Sequence, residues 1–126
     1  MEFIHAGLPA SSEEKADRFY VDILGLEKSI PKTLDKKLSG ELFGIDKELL
    51  IIRYRGGNAD FEVLVYPEYK AREKEITHSC IKVDGLKNFV GKCKDAGVKV
   101  IEAEKGSKVV TFISDYDGNL FEVKEQ

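Results

Sequence analysis

The sequence predicts an α+β fold of two βαβββ modules, their mixed sheets forming an open barrel with the helices outside. Three observations carry this prediction. Apolar spacing switches repeatedly between strand and helix periods, the order of elements is written twice, and a glycine closes the helix at a matching place in each half. The 126 residues are enough to bury a core. One domain is expected, with modules over 1–67 and 76–126 and a charged connector over 68–75.

The first strand is expected over residues 3–8, ended by Pro9. Ser11 with Glu14 three positions later has the form of a capping box, and Ala16, Phe19, Tyr20, Ile23 and Leu24 mark the buried face of a helix. Gly25 closes that helix. Residues 27–33 read as a strand in which Pro31 marks an edge or a bend. Residues 34–46 are open between a strand over 37–43 and a loop. Strands over 47–54 and 60–66 follow, joined at the turn Gly56-Gly57-Asn58.

The second half restarts the pattern with a strand over 77–83. Leu86, Phe89, Val90 and Cys93 give the next helical face, and Gly97 closes it. Three strands over 98–103, 108–114 and 119–123 complete the half, the last two joined by Asp115-Tyr116-Asp117-Gly118. From His5 to Gly25 is 20 positions, and from His78 to Gly97 is 19. Neither half alone buries both faces of its sheet, so the halves are expected to pack together or across a dimer.

Charge and composition narrow the function. The net charge is -3, with 20 Lys and Arg against 23 Asp and Glu, and no basic block stands out. That balance argues against a nucleic-acid partner. No apolar run approaches the roughly 20 residues of a spanning helix, and no leader pattern opens the chain, so a cytoplasmic protein with no membrane partner is expected. Cys80 and Cys93 are too few for a disulfide scaffold and too far apart for a CxxC motif. Each is expected to be a reduced, buried, small hydrophobe.

Strand alternation then brings out four residues. Opposite the apolar Ile4, Ala6 and Leu8 lie Phe3, His5 and Gly7; opposite Phe61, Val63 and Val65 lie Glu62, Leu64 and Tyr66. In the second half, His78 and Cys80 lie opposite Ile81 and Val83, and Glu122 lies opposite Phe121 and Val123. A lone strand glutamate normally faces water, and a lone histidine is normally a surface or hydrogen-bonded residue. Here both halves place one of each on the face turned from the helix, and the two histidines are the chain's full complement. Two imidazoles and two carboxylates suit Zn, Ni, Co, Fe or Mn.

The sequence resembles the vicinal oxygen chelate superfamily, and within it the glyoxalase I branch. The resemblance rests on Phe-Ile-His-Ala-Gly-Leu at 3–8, Arg-Phe-Tyr-Val-Asp-Ile-Leu-Gly-Leu at 18–26 and Phe-Glu-Val-Leu-Val at 61–65. His-Ser-Cys-Ile-Lys-Val at 78–83 and Asp-Gly-Asn-Leu-Phe-Glu-Val at 117–123 complete it. It implies that His5, Glu62, His78 and Glu122 hold one divalent metal ion, Ni or Zn foremost. It also implies a lyase or isomerase acting on the hemithioacetal of a 2-oxoaldehyde. The metal would stabilise an enediolate, with Glu122 as the base and Glu62 able to act on the opposite face. A homodimer is implied as well, its sites drawing ligands from one chain or from both.

Departures bear on the substrate. The Arg and Asn residues that hold glutathione in that branch have no counterpart after His5 or Glu62. Arg53, Arg55 and Lys108 are candidates for an anionic group, against the simpler reading of solvated strand charges. Related enolate chemistry of the epimerase kind usually has Gln at the Glu62 position. Ring-cleaving dioxygenases use two His and one Glu. Bleomycin-resistance relatives bind ligands without catalysis and generally lack the metal set.

Overall fold

Alternating Phe61, Val63 and Val65 need one buried face, and the hairpin they form with the preceding strand supplies it. The computed structural model describes residues 1–126 and divides into two compact units, Met1–Lys70 and Ala71–Gln126. The first unit runs β1 (Ala6–Ala10), α1 (Glu13–Ala16), a π-helical continuation of α1 (Asp17–Ile23), β2 (Glu27–Lys28), β3 (Lys32–Leu34), α2 (Lys36–Phe43), β4 (Leu49–Gly56) and β5 (Ala59–Val65). Its sheet has the order β1-β5-β4-β2, with β3 also paired to β4. β1 lies parallel to β5, and the other pairs are antiparallel.

The core of this unit is aromatic. Phe19 and Tyr20 are fully buried, as are Ile52, Tyr54 and Val63 of the sheet. Tyr20 stacks on Tyr54 at 4.9 Å between ring centroids and meets Phe19 edge-on. Each such ring contributes about 1.5–3 kcal/mol by leaving water. The Tyr54 hydroxyl donates to Asp17 Oδ1 at 2.8 Å, so the one polar atom it carries inward is satisfied. Burial and this bond together push the Tyr54 hydroxyl well above its ordinary range.

The second unit runs β6 (His78–Val83), α3 (Leu86–Asp95), β7 (Lys99–Lys105), β8 (Lys108–Ser114) and β9 (Leu120–Glu125). Its sheet has the order β6-β9-β8-β7, again with the first strand parallel to the last. Val90 and Cys93 of α3 and the following Val98 are buried, as are Ile113, Phe121 and Val123 of the sheet. Gly85 gives α3 no side-chain cap; Glu125 of β9 does so instead, accepting from the Gly85 and Leu86 amides at 2.8 and 2.7 Å. The α+β class holds; the second unit keeps the βαβββ order, and the first keeps it with α2 inserted after a split strand. No helix is long and apolar enough to cross a membrane.

Several boundaries differ from expectation, each for a local reason. Pro9 does not end β1 but lies inside it, opposite Leu64, because β1 is an edge strand with β5 as its one neighbour. His5 therefore lies just before β1. The N-cap of α1 is Ser12, which accepts from the Lys15 amide at 3.2 Å, and not Ser11. With Lys15 three positions on, there is no capping box. Pro31 splits the expected strand into β2 and β3. Residues 36–43 form neither strand nor loop but α2, started by Asp35 accepting from the Leu38 amide at 2.8 Å and stopped at Gly44 with φ 68°.

Candidate metal centre

Register explains how each unit brings one histidine and one glutamate together. In the first unit Glu62 is the cross-strand partner of Gly7, and His5 is two residues earlier in the chain. In the second unit Glu122 is the partner of Cys80, and His78 is two residues earlier. The same parallel pairing with the same offset recurs, and it turns His5, just before β1, and His78, at the start of β6, toward the glutamate of the last strand of each unit. His5 Nε2 is 3.7 Å from Glu62 Oε1, and His78 Nε2 is 4.0 Å from Glu122 Oε2. All four side chains are partly exposed.

Neither separation is a hydrogen bond. The His78 ring is fixed through its other nitrogen, since Nδ1 lies 2.7 Å from the Ile76 carbonyl oxygen. A carbonyl only accepts, so Nδ1 carries the proton and donates. In the neutral ring this leaves a lone pair on Nε2, facing an acceptor-only carboxylate. Two acceptors face to face call for positive charge between or beside them, a proton or a cation. Phe112, edge-on to the ring at 5.0 Å, further restricts its orientation. A backbone carbonyl on the remote nitrogen is a common way of orienting an imidazole for metal binding. His5 Nδ1, by contrast, is a buried atom without a partner.

Each half offers one nitrogen and one carboxylate. Within neither unit does a third His, Cys, Asp or Glu side chain join the pair to make a metal-holding group of three. The donors of each pair fit a borderline divalent ion in chemistry.

The surroundings of the two glutamates differ. Glu62 Oε2 receives Arg53 Nη1 at 3.3 Å, while Arg53 Nε and Nη2 grip Asp60 at 2.8 and 2.5 Å. Arg55 Nε also reaches Asp60, at 3.0 Å. These bonds, that from Arg53 foremost, hold the Asp60 carboxyl below its ordinary range, and Asp60 in turn pushes the Arg53 guanidinium up. Arg53 and Arg55, read from sequence as candidates for an anionic group, thus already have a carboxylate partner. Lys108 is exposed and lies opposite Lys105 at the β7–β8 turn. Glu122 has Lys124 Nζ at 3.3 Å from Oε1.

Cys80 corrects an expectation: it is exposed, whereas Cys93 is buried. Strand alternation puts it on the face of His78, directly across from Glu122. Partial desolvation, and then the neighbouring Glu122 carboxylate, push its thiol up. Arg53 and Asp60 were missed as partners of the site. The hairpin register that pairs Gly56 with Ala59 also pairs Arg53 with Glu62, so counting back from the turn would have found the first of them.

No family model matches the chain, and no curated protein sequence does. Solved structures do. A glyoxalase family protein from Enterococcus faecalis aligns with a TM-score of 0.73 at 20% identity, over 97% of this chain and 95% of that one. The trypanothione-dependent glyoxalase I of Leishmania major aligns with a TM-score of 0.75 at 15% identity, over 99% and 86%. This chain has the vicinal oxygen chelate fold. The fosfomycin resistance protein FosX of Listeria monocytogenes also shares it, with a TM-score of 0.73 at 16% identity over 97% and 90%. That FosX, an E126Q mutant, was solved with Mn(II) and a dihydroxypropylphosphonic acid. Identities this low establish the fold and leave the reaction to the residues.

Proposed function

We propose that the chain is a metal-dependent, glyoxalase I-like lyase or isomerase, with His5, Glu62, His78 and Glu122 holding one divalent ion. The observation that carries this reading is the repeated pair, a histidine and a glutamate brought within 3.7 and 4.0 Å at the same strand offset in both units. A homodimer that joins the first half-site of one chain to the second half-site of its partner is part of the proposal. Ni or Zn are the leading candidates for the ion.

The substrate class is the hemithioacetal of a 2-oxoaldehyde. A divalent ion in this site would supply fixed positive charge for the oxyanion that develops when the carbon acid loses its proton. Glu122 takes that proton from one carbon and returns it to the next, with Glu62 on the opposite face. Lys124 Nζ lies 3.3 Å from Glu122 Oε1, the one cation paired with that carboxylate. The three bonds of Arg53 to Asp60 and Glu62 support a thiol other than glutathione, because that guanidinium is already engaged by carboxylates of this chain.

Elemental analysis of the purified protein tests the reading, paired with isomerase assays on methylglyoxal hemithioacetals of several thiols, Ni and Zn being supplied separately. About one metal per chain together with turnover is the expected result, since a catalytic site of this kind needs its ion. Metal without turnover would move the site to another reaction of the fold, and no metal at all would favour a ligand-binding protein without catalysis. Substituting His78→Ala or Glu122→Ala should strip the ion while the far-ultraviolet circular dichroism stays as in the parent. Stoichiometric metal in either variant would remove that residue from the ligand set.

A further inference from the structure

The two candidate carboxylates are held in different ways, and the difference lies in one arginine. Arg53 on β4 is the cross-strand partner of Glu62. Its backbone is fixed from both sides by Ser29, whose amide donates to the Arg53 carbonyl at 2.8 Å and whose hydroxyl accepts from the Arg53 amide at 2.9 Å. Its guanidinium is fixed in turn by the two-point grip on Asp60 at 2.8 and 2.5 Å. A planar fork held at two points has little freedom left, so the third bond, to Glu62 Oε2 at 3.3 Å, has a set direction. That bond occupies one oxygen of Glu62 and leaves Oε1 as the atom facing His5.

The second unit lacks this arrangement. The strand position that faces Glu122 is Phe112, and the cation beside Glu122 is Lys124 on the same strand. An ammonium on a flexible stem follows its partner and does not fix it.

We propose that Arg53 is a positioning residue that locks Glu62 into one-oxygen ligation through Oε1, a two-point-anchored clamp that Glu122 lacks. The proposal rests on the reading of Glu62 as a metal ligand. The requirement is geometric: a positive charge alone at position 53 would not meet it.

Ni2+ affinity, measured on the whole protein by competition with a chromophoric chelator, tests this in Arg53→Lys, Arg53→Met, Asp60→Asn and Glu62→Ala. Losing a partner that orients a ligand typically weakens metal binding about 10- to 100-fold. Both Arg53 variants should fall in that range, and Asp60→Asn, which releases the fork without touching Arg53, should weaken binding in the same direction. The visible spectrum of the Co2+ form should change in all three, since the coordination of Glu62 changes. Parent affinity in Arg53→Lys would overturn the proposal by showing that charge suffices, and so would equal or tighter binding in Arg53→Met. If Arg53→Met does not fold, Arg53→Lys and Asp60→Asn decide the question. Unchanged affinity in Glu62→Ala would instead remove Glu62 from the ligand set, a failure of the underlying reading that is distinct from failure of the clamp.

Discussion

Glu125 shows how far a single side chain reaches in this fold. Its carboxylate caps α3 from a neighbouring strand, and the Leu86 and Gly85 amides hold its pKa below the ordinary 4.5. A carboxylate depressed on folding stabilises the protein fully above its unfolded pKa and loses that contribution as the pH falls through the folded value. Glu125→Gln should therefore lower the melting temperature at neutral pH and flatten the loss of stability in the window below pH 4.5. Parallel melting curves for the two proteins from pH 7 to pH 3 check this. An identical acid limb would show that the cap carries no charge-dependent part. At the same scale, the sequence made Glu62 and Glu122 legible because strand alternation needs no tertiary knowledge. It failed on Cys80, where residue type argued for burial while the alternation already placed the thiol with His78.

Helices were read well where packing and pattern agree and poorly where a turn changes width. The apolar spacing of the first helix included Leu24, yet Leu24 is only partly buried. Its amide bonds the Phe19 carbonyl five residues back at 3.0 Å, and this wider turn rotates the end of the helix away from the face that an α-helical period predicts. The helix α2 was missed although its two signals, Asp35 before and Gly44 after, stand in the sequence. Its eight residues expose Leu38, Leu42 and Phe43, so no clean buried stripe marked it. A helix this short depends on its cap. Asp35→Ala should cost about 1 kcal/mol locally. Amide exchange within residues 36–43 should accelerate accordingly, while exchange in β4 and β5 stays at the parent rate. Uniform acceleration across the first unit would instead tie α2 to the global unfolding step.

At the scale of the molecule, the duplication was the most legible feature, because local preference acts on single elements and does not by itself repeat their order. The copies are not equal: the first carries α2 and a strand split by Pro31, and neither insertion disturbs the β1–β5 register that sets His5 against Glu62. What the sequence could not carry is which chain completes each half-site. Two inactive variants answer this. His5→Ala damages one half of the proposed centre, and His78→Ala damages the other. In a mixed dimer whose sites draw on both chains, one site keeps all four ligands while the other loses both histidines. Co-expressed and purified as the heterodimer, the pair should regain about half the metal content of the parent, as a site count of one in two requires. No recovery would assign both halves of each site to a single chain.

The exposure of Cys80 gives the proposed centre its own reporter. Of the two thiols, Cys93 is buried, so a maleimide or a disulfide probe meets a single accessible sulfur, and that sulfur lies across the strand from Glu122. A fluorophore or spin label attached there reports on the surroundings of Glu122 without any engineered cysteine. The rate of attachment is informative by itself. If an ion drawing on Glu122 also screens the neighbouring sulfur, labelling should slow on adding the metal and recover on adding a chelator, giving an occupancy readout that requires neither a substrate nor an assay of turnover.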